Sequence, residues 1–149
     1  MESLINNLKQ NVRVIIKGED YTVKTKTWYS IEEDNKTSYV KCELSGGKVL
    51  VIIPDDNLIY IGGVIENMDY KKISDDKIKY NDVLFNKTGE GHQFITNIEF
   101  GNKDEVEGKC IFEDYEYEDN IISLGILTDK GVRADVYADV LGIEDIVIK

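Results

Sequence analysis

Short runs rich in Val, Ile, Tyr and Thr fill nearly the whole chain from Val12 to Lys149, and Gly, Asn and Asp residues separate them. β-branched and aromatic residues favour strands, and the separating residues are those that tight turns require. The chain holds one proline, Pro54, so little interrupts this pattern. The sequence therefore predicts an all-β, mostly antiparallel fold. Two packed sheets satisfy the pattern, and so does one strongly bent sheet that forms a partly open barrel.

Apolar and polar side chains alternate along several of these runs. Val12, Val14 and Ile16 share one face, and after a turn the alternation continues from 21 to 31. This pattern predicts a hairpin with a long second arm. Further alternating or apolar runs lie at 38–44, 48–53, 58–61, 94–100 and 132–140.

The N-terminus and the middle of the chain depart from the strand pattern. Residues 3–10 predict a short N-terminal helix that covers an end of the sheet, because their apolar side chains share one side of a helix. A chain of this length buries the core of one compact domain, so we expect a single β domain over 1–149. A polar segment at 67–79 marks two β halves, about 12–66 and 77–149. Similar short motifs in the two halves leave an internal duplication open.

The charge of the chain restricts its partners. Acidic side chains number 29 and basic side chains 18, which gives a net charge of −11. A protein of this sign repels phosphate backbones and anionic lipid head groups, so we expect no nucleic-acid binding and no membrane insertion. The N-terminus does not resemble a secretory signal, and the widely spaced Cys42 and Cys110 are typical of reduced, buried thiols. These features predict a cytoplasmic protein whose partner, if it has one, is another protein.

An acidic run at 112–119 is a candidate metal site. Strand alternation places Asp114, Glu116 and Glu118 on one face, where three carboxylates can hold Ca²⁺. However, successive side chains on one face lie roughly 7 Å apart, and the run lacks the spacing of a calcium-binding loop. We interpret it as a solvated sheet edge that its charge protects from further pairing. The sequence predicts no metal and no cofactor.

His92 is the single histidine of the chain and a candidate catalytic base. It lies in a glycine-flanked segment, 88–93, where Glu90 can orient it. No nucleophile motif accompanies it, so we interpret it as an exposed loop residue and predict no catalytic residue.

Aromatic side chains are the candidate binding residues. Trp28 faces the same side as polar neighbours on its strand, as an anchor for a partner does, although core packing explains it as well. Tyr29 follows it, and Tyr115 and Tyr117 share the other face of the acidic run. We take these four residues as the predicted binding surface.

These positions resemble a family of small, uncharacterised bacterial domains. The resemblance covers about 12–148 and rests on Tyr21-Thr22-Val23, Trp28-Tyr29, Tyr39, Leu44, Pro54-Asp55, Tyr115-Glu116-Tyr117 and Ser123-Leu124. It implies an all-β fold, no established activity and an association with stress-related genes. The chain departs from the family pattern after Trp28-Tyr29, and at Gly125, where that family has a glutamate.

The sequence thus favours a non-enzymatic protein–protein interaction module of a bacterial stress-related system. The first alternative is a β-barrel protein that binds a small molecule, which predicts an interior cavity lined by Tyr and Phe. The second is a hydrolase that uses His92 with Glu90.

Overall fold

The computed structural model describes residues 1–34, 36–101, 110–127 and 132–149. In these residues one α-helix, α1 (Glu2–Asn7), and thirteen strands form an all-β protein, which confirms the predicted fold class and the short N-terminal helix. In chain order the strands are β1 (Arg13–Ile16), β2 (Glu19–Thr22), β3 (Lys26–Ile31), β4 (Ser38–Glu43), β5 (Lys48–Ile53), β6 (Leu58–Val64), β7 (Tyr70–Ser74), β8 (Lys77–Tyr80), β9 (Val83–Phe100), β10 (Cys110–Tyr117), β11 (Asn120–Leu127), β12 (Val132–Leu141) and β13 (Ile146–Ile148).

Eight of the strands in the described ranges form a closed antiparallel barrel, in the order β3-β4-β5-β6-β12-β11-β10-β9 and back to β3. The long strand β9 closes it, because its residues 86–93 pair with β10 and its residues 93–100 pair with β3. The sequence predicted a partly open barrel as one alternative; the barrel in the structure is fully closed. Four of these strands come from each predicted half, and the duplication stays a prediction.

A separate small sheet, with the order β13-β1-β2, lies outside the barrel together with α1. Their apolar side chains, among them Leu8 and Val14, pack against the outer face of β4, β5 and β6 in one buried cluster. The unbroken apolar run of β5 is explained by this cover, since Leu50 and Ile52 pack outside the barrel and Val51 packs inside it. The described part of the chain has no helix with the length and apolar content of a membrane span.

The predicted long second arm of the first hairpin is wrong. The hairpin itself forms from β1 and β2, but the arm ends at Thr22 and the next strand begins at Lys26 in the barrel. Between them Val23 bridges to Leu44, and the amide of Lys24 donates to the carbonyl of Glu43 at 2.8 Å. In the sequence, the alternation of side chains continues through residues 23–25. The pattern therefore does not show that the chain passes here from the small sheet to the barrel.

A hairpin of β7 and β8 covers a second part of the barrel wall. Its buried Ile78 packs with Phe85 of β9 and with side chains on the outer face of β10 and β11, among them Tyr115 and Ile122. This hairpin occupies most of the polar segment at 67–79. The segment shows no clear strand pattern in the sequence, because six of the nine strand residues are exposed and four of those six are lysines.

The inner face of the barrel holds a third buried cluster. Its members come from six strands and include three tyrosines; they are Tyr29, Tyr39, Val51, Tyr60, Ile121 and Ala138. The barrel therefore separates its own interior from the two outer clusters. Each of these strands has apolar side chains on both faces.

Candidate functional site

A cavity of about 310 Å³ lies inside the barrel. The described residues that line it come from seven of the eight barrel strands: β3, β4, β5, β6, β9, β10 and β11. Its rim lies where the turns after β3 and β5 place Glu33, Asp34 and Asp56, all three of them exposed. The cavity therefore runs from the buried interior to the surface at this end of the barrel.

Aromatic and aliphatic side chains form most of the cavity wall. Tyr39, Tyr60 and Phe112 line it and are only 5%, 6% and 9% exposed. Ile53 and Ile121 add aliphatic surface from other strands. A Tyr- and Phe-lined interior cavity is what the small-molecule alternative predicts. That the protein binds a small molecule stays a prediction.

Two stacked tyrosines and a lysine occupy one side of the interior. Tyr29 and Tyr39 are direct cross-strand partners, with ring centroids 5.4 Å apart and planes inclined by 13°. The ammonium of Lys41, which lines the cavity, lies 4.9 Å from the centroid of Tyr29. This distance is within the range of a cation–π contact. The lysine is thus held against aromatic faces.

Acidic side chains of β10 line another part of the cavity. Asp114 and Glu116 both face it, with Ser123 of β11 directly opposite Asp114. Burial raises the pKa of the Asp114 carboxyl, and the nearby Glu116 raises it further; the Ser123 hydroxyl and the Lys41 ammonium partly offset these effects. Oδ1 of Asp114 is buried and has no hydrogen-bond partner among the described residues. A donor within the cavity would satisfy this oxygen.

The two cavity tyrosines remain protonated at neutral pH. Burial raises the pKa of Tyr39 and of Tyr60 above the ordinary tyrosine value, and the charge of Asp114 raises both further. Their hydroxyl groups can therefore donate as well as accept hydrogen bonds toward a bound molecule.

His92 and Glu33 meet at the rim of the cavity. The backbone amide of His92 donates to both carboxylate oxygens of Glu33 at 3.0 Å, and its Nδ1 lies 2.6 Å from Oε1 of Glu33. These hydrogen bonds, the backbone one first, lower the pKa of Glu33. The pair ties the turn after β3 to β9 and so fixes one side of the opening.

The predicted environment of His92 is wrong in two respects. Residues 88–93 lie within the continuous strand β9 and not in a loop. Glu90, which the hydrolase alternative places beside the histidine, instead pairs with Lys87 at 3.1 Å. The glycines of this segment suggested a loop, but here they lie in a strand whose bulge the sequence does not mark. The hydrolase alternative gains no support from this geometry.

The four predicted binding residues lie in different places. Trp28 is partly buried against the outer cluster beneath α1, and its indole donates to Glu99 at 3.3 Å. Tyr29 is in the barrel interior, stacked on the cavity residue Tyr39. Tyr115 is fully buried in the outer cluster under the β7–β8 hairpin, and Tyr117 is 42% exposed beside it. Protein binding through these residues stays a prediction.

The interpretation of the acidic run as a sheet edge is wrong. β10 pairs with β9 on one side and with β11 on the other, so it is an interior strand of the barrel wall. Its alternation is as predicted, but the face that carries Asp114 and Glu116 points into the cavity. The sequence missed the site because nothing in the run itself shows that the sheet closes around it. The one local signal is Phe112, which shares that face.

Comparison with known proteins leaves the function open. No protein-family model, no curated protein and no solved structure matches the chain. The resemblance to an uncharacterised bacterial family therefore stays a prediction. In the described parts of the chain, no group of three or more His, Cys, Asp or Glu side chains is arranged to hold a metal ion.

Proposed function

We propose that this protein binds a small molecule in the interior of its barrel. The cavity of about 310 Å³ is the observation that carries the proposal. An eight-stranded barrel is just wide enough either to be filled by side chains or to hold one small ligand. Ligand sites typically measure roughly 300–1,000 Å³ and combine an apolar, aromatic wall with a few polar groups. The interior of this barrel has that composition.

The polar groups of the interior favour binding over a purely structural role. Protein interiors are close-packed, and a buried polar atom without a partner destabilises the fold. Here the barrel keeps an open cavity, and Oδ1 of Asp114 is buried without a partner among the described residues. A ligand that fills the cavity and donates to this oxygen would remove both costs.

The experiment is a titration with N-phenyl-1-naphthylamine, an uncharged dye whose fluorescence rises when it leaves water. We expect saturable binding with one dye per chain. Ser123→Phe places a large ring in the cavity and should abolish the signal. Ser74→Phe makes the same change on the exposed β7 strand and should leave the interior site intact.

Circular dichroism and thermal melting of each variant establish that it is folded. No saturable binding to the native chain would contradict the proposal. Undiminished binding to folded Ser123→Phe would do so as well, because the dye would then bind elsewhere.

A further inference from the structure

We propose that the ligand is a compact organic cation, with a protonated amine at one end and an apolar body. This inference rests on the proposed function and adds the chemical class of the ligand. Three observations lead to it: the sign of the charges around the cavity, the buried carboxylate within it, and the apolar wall beside that carboxylate.

The charged residues of the cavity are mostly acidic. Among the described residues that line it, six carry carboxylates and one, Lys41, carries an ammonium. The carboxylates are those of Glu33, Asp34, Asp56, Glu90, Asp114 and Glu116. A concave site lined by one sign of charge concentrates ligands of the opposite sign. The cavity therefore attracts cations and repels anions.

Some of these carboxylates already have partners, and the remaining ones point to where the amine binds. Glu33 accepts hydrogen bonds from His92, Asp34 from the turn that follows it, and Glu90 pairs with Lys87. Asp114 is different because it lies in the interior, and its Oδ1 has no partner in the described ranges. Glu116 lines the cavity two residues further along the same strand face. An ammonium group between the two would donate to both.

The cavity wall suits an apolar body attached to that amine. Phe112 lies on the same strand face as Asp114, and Ile121 and Leu58 line the cavity from β11 and β6. The rings of Tyr39 and Tyr60 add aromatic surface, which also attracts cations. A ligand with an apolar end and a charged end can therefore use both kinds of surface.

Among the described residues that line the cavity, Lys41 is the one whose charge would favour an anion. Its ammonium lies over the ring of Tyr29, and its charge lowers the pKa of Asp114. It therefore already acts within the interior network. An anionic ligand at Lys41 would also have to approach Asp114 and Glu116, which repel it. Tightest binding of a carboxylate probe would support an anionic ligand instead.

The test compares three probes of nearly equal size and different charge. They are 2-phenylethylamine, 2-phenylethanol and 3-phenylpropanoate. Each is titrated into the native chain at pH 7, and binding is followed by the shifts of the backbone amide signals in the two-dimensional NMR spectrum. We expect the amine to bind about tenfold to a hundredfold more tightly than the alcohol, since hydrogen bonds to charged groups are the stronger ones. The carboxylate should bind most weakly.

Two variants locate the charge that selects the amine. Asp114→Asn keeps the shape of the side chain and should remove most of the preference for the amine over the alcohol. Glu113→Gln changes the neighbouring carboxylate, which faces out of the barrel toward Lys87, and should leave the preference unchanged. If Asp114→Asn does not fold, Glu116→Gln tests the same face of the strand.

The outcomes separate this inference from the proposed function. Equal affinity for amine and alcohol, or tightest binding of the carboxylate, would overturn the cation and leave the cavity as a binding site. If the uncharged dye binds and none of the three probes does, the inference fails alone. If neither the dye nor any probe binds, the inference and the proposed function fail together.

Discussion

Tyr29 and Tyr39 stack face to face across neighbouring strands in the barrel interior, with centroids 5.4 Å apart. Both rings are more than nine-tenths buried, and the ammonium of Lys41 lies over the pair. This arrangement joins stability to the candidate site, because Tyr39 also lines the cavity. The ring pair fixes the position of one cavity wall.

We expect the two rings to be energetically coupled. Tyr29→Leu and Tyr39→Leu each remove one ring and should each lower the free energy of unfolding. The double variant should lower it by less than the sum of the two single effects. The coupling should be about 1 kcal/mol, as for other aromatic pairs. Urea unfolding of the native chain and the three variants measures it.

The control pairs Tyr29→Leu with Ile78→Val, which lies in the separate cluster under the β7–β8 hairpin. Those two changes should be additive within about 0.5 kcal/mol. A Tyr29–Tyr39 coupling no larger than the control value would show that the stack contributes nothing beyond burial.

Gly62 lies at the seam where β6 pairs with β12, and the seam has no room for a side chain. A Cβ at this position would lie 2.4 Å from the carbonyl oxygen of Tyr137 and 2.7 Å from Cβ of Ala138. Gly62→Ala should therefore destabilise the protein by about 1–3 kcal/mol, because the backbone of β12 must move. Denaturant unfolding measures the change.

The next residue supplies the matched control. A Cβ at Gly63 would meet its nearest atom at 3.8 Å, an ordinary contact distance. Gly63→Ala should change the free energy of unfolding by no more than about 0.5 kcal/mol. Equal effects of the two substitutions would mean that the seam is wider than the structure has it.

The fold class follows from the sequence because strand periodicity and turn residues are local properties. The β1–β2 hairpin and the strands at 38–43 and 48–53 show this, since each lies where its pattern predicts. Closure of the barrel is not local. It depends on β9 pairing with β3 at one end and with β10 at the other, and the glycines at 89 and 91 make this strand look like a loop.

The candidate site was not predictable for the same reason. Alternation correctly places Asp114 and Glu116 on one face of β10, but the same pattern fits an exposed edge and a cavity wall. Tyr39 and Tyr60 belong to apolar runs that predict only core. Their role depends on which strands end up opposite each other across the barrel, and single-strand patterns carry no such information.

Lys26 and Glu99 form an ion pair beneath α1. The lysine side chain is 3% exposed; its Nζ donates to the carbonyl of Ile5 at 2.6 Å and lies 2.9 Å from Oε2 of Glu99. Glu99→Gln leaves this buried ammonium without its anionic partner. We expect the free energy of unfolding to fall by about 1 kcal/mol. The effect is no larger because solvent screens the partly exposed Glu99.

The Lys26→Met background provides the comparison. In that background Glu99→Gln should leave the free energy of unfolding almost unchanged, because no buried charge remains to be paired. The ion pair also lowers the pKa of Glu99, so its contribution should be present at neutral pH and be lost as pH falls through that pKa. A cost that is the same in both backgrounds would contradict the pairing.

Asp114 should make the protein less stable at neutral pH than it would be with an uncharged side chain. Burial raises the pKa of this carboxyl in the folded state, so folding disfavours its charged form. A group whose pKa is raised on folding stabilises the fold below its unfolded-state pKa, about 4, and this contribution is lost as pH rises through the folded pKa. Asp114→Asn should therefore raise the free energy of unfolding at pH 7 by on the order of 1 kcal/mol.

The pH dependence of that gain distinguishes the charge from a packing effect. Urea unfolding of the native chain and of Asp114→Asn between pH 3 and pH 7 should show a gain that shrinks as the medium becomes acidic and is gone near pH 3, where the native carboxyl is protonated. Glu113→Gln, on the outer face of the same strand, should bring no gain because its carboxylate pairs with Lys87. A gain of the same size at every pH would mean that the substitution acts through packing. If Asp114→Asn stabilises the protein and also removes its preference for the amine, the two results together assign a role to this carboxylate. It destabilises the empty barrel and is kept because it binds the ligand.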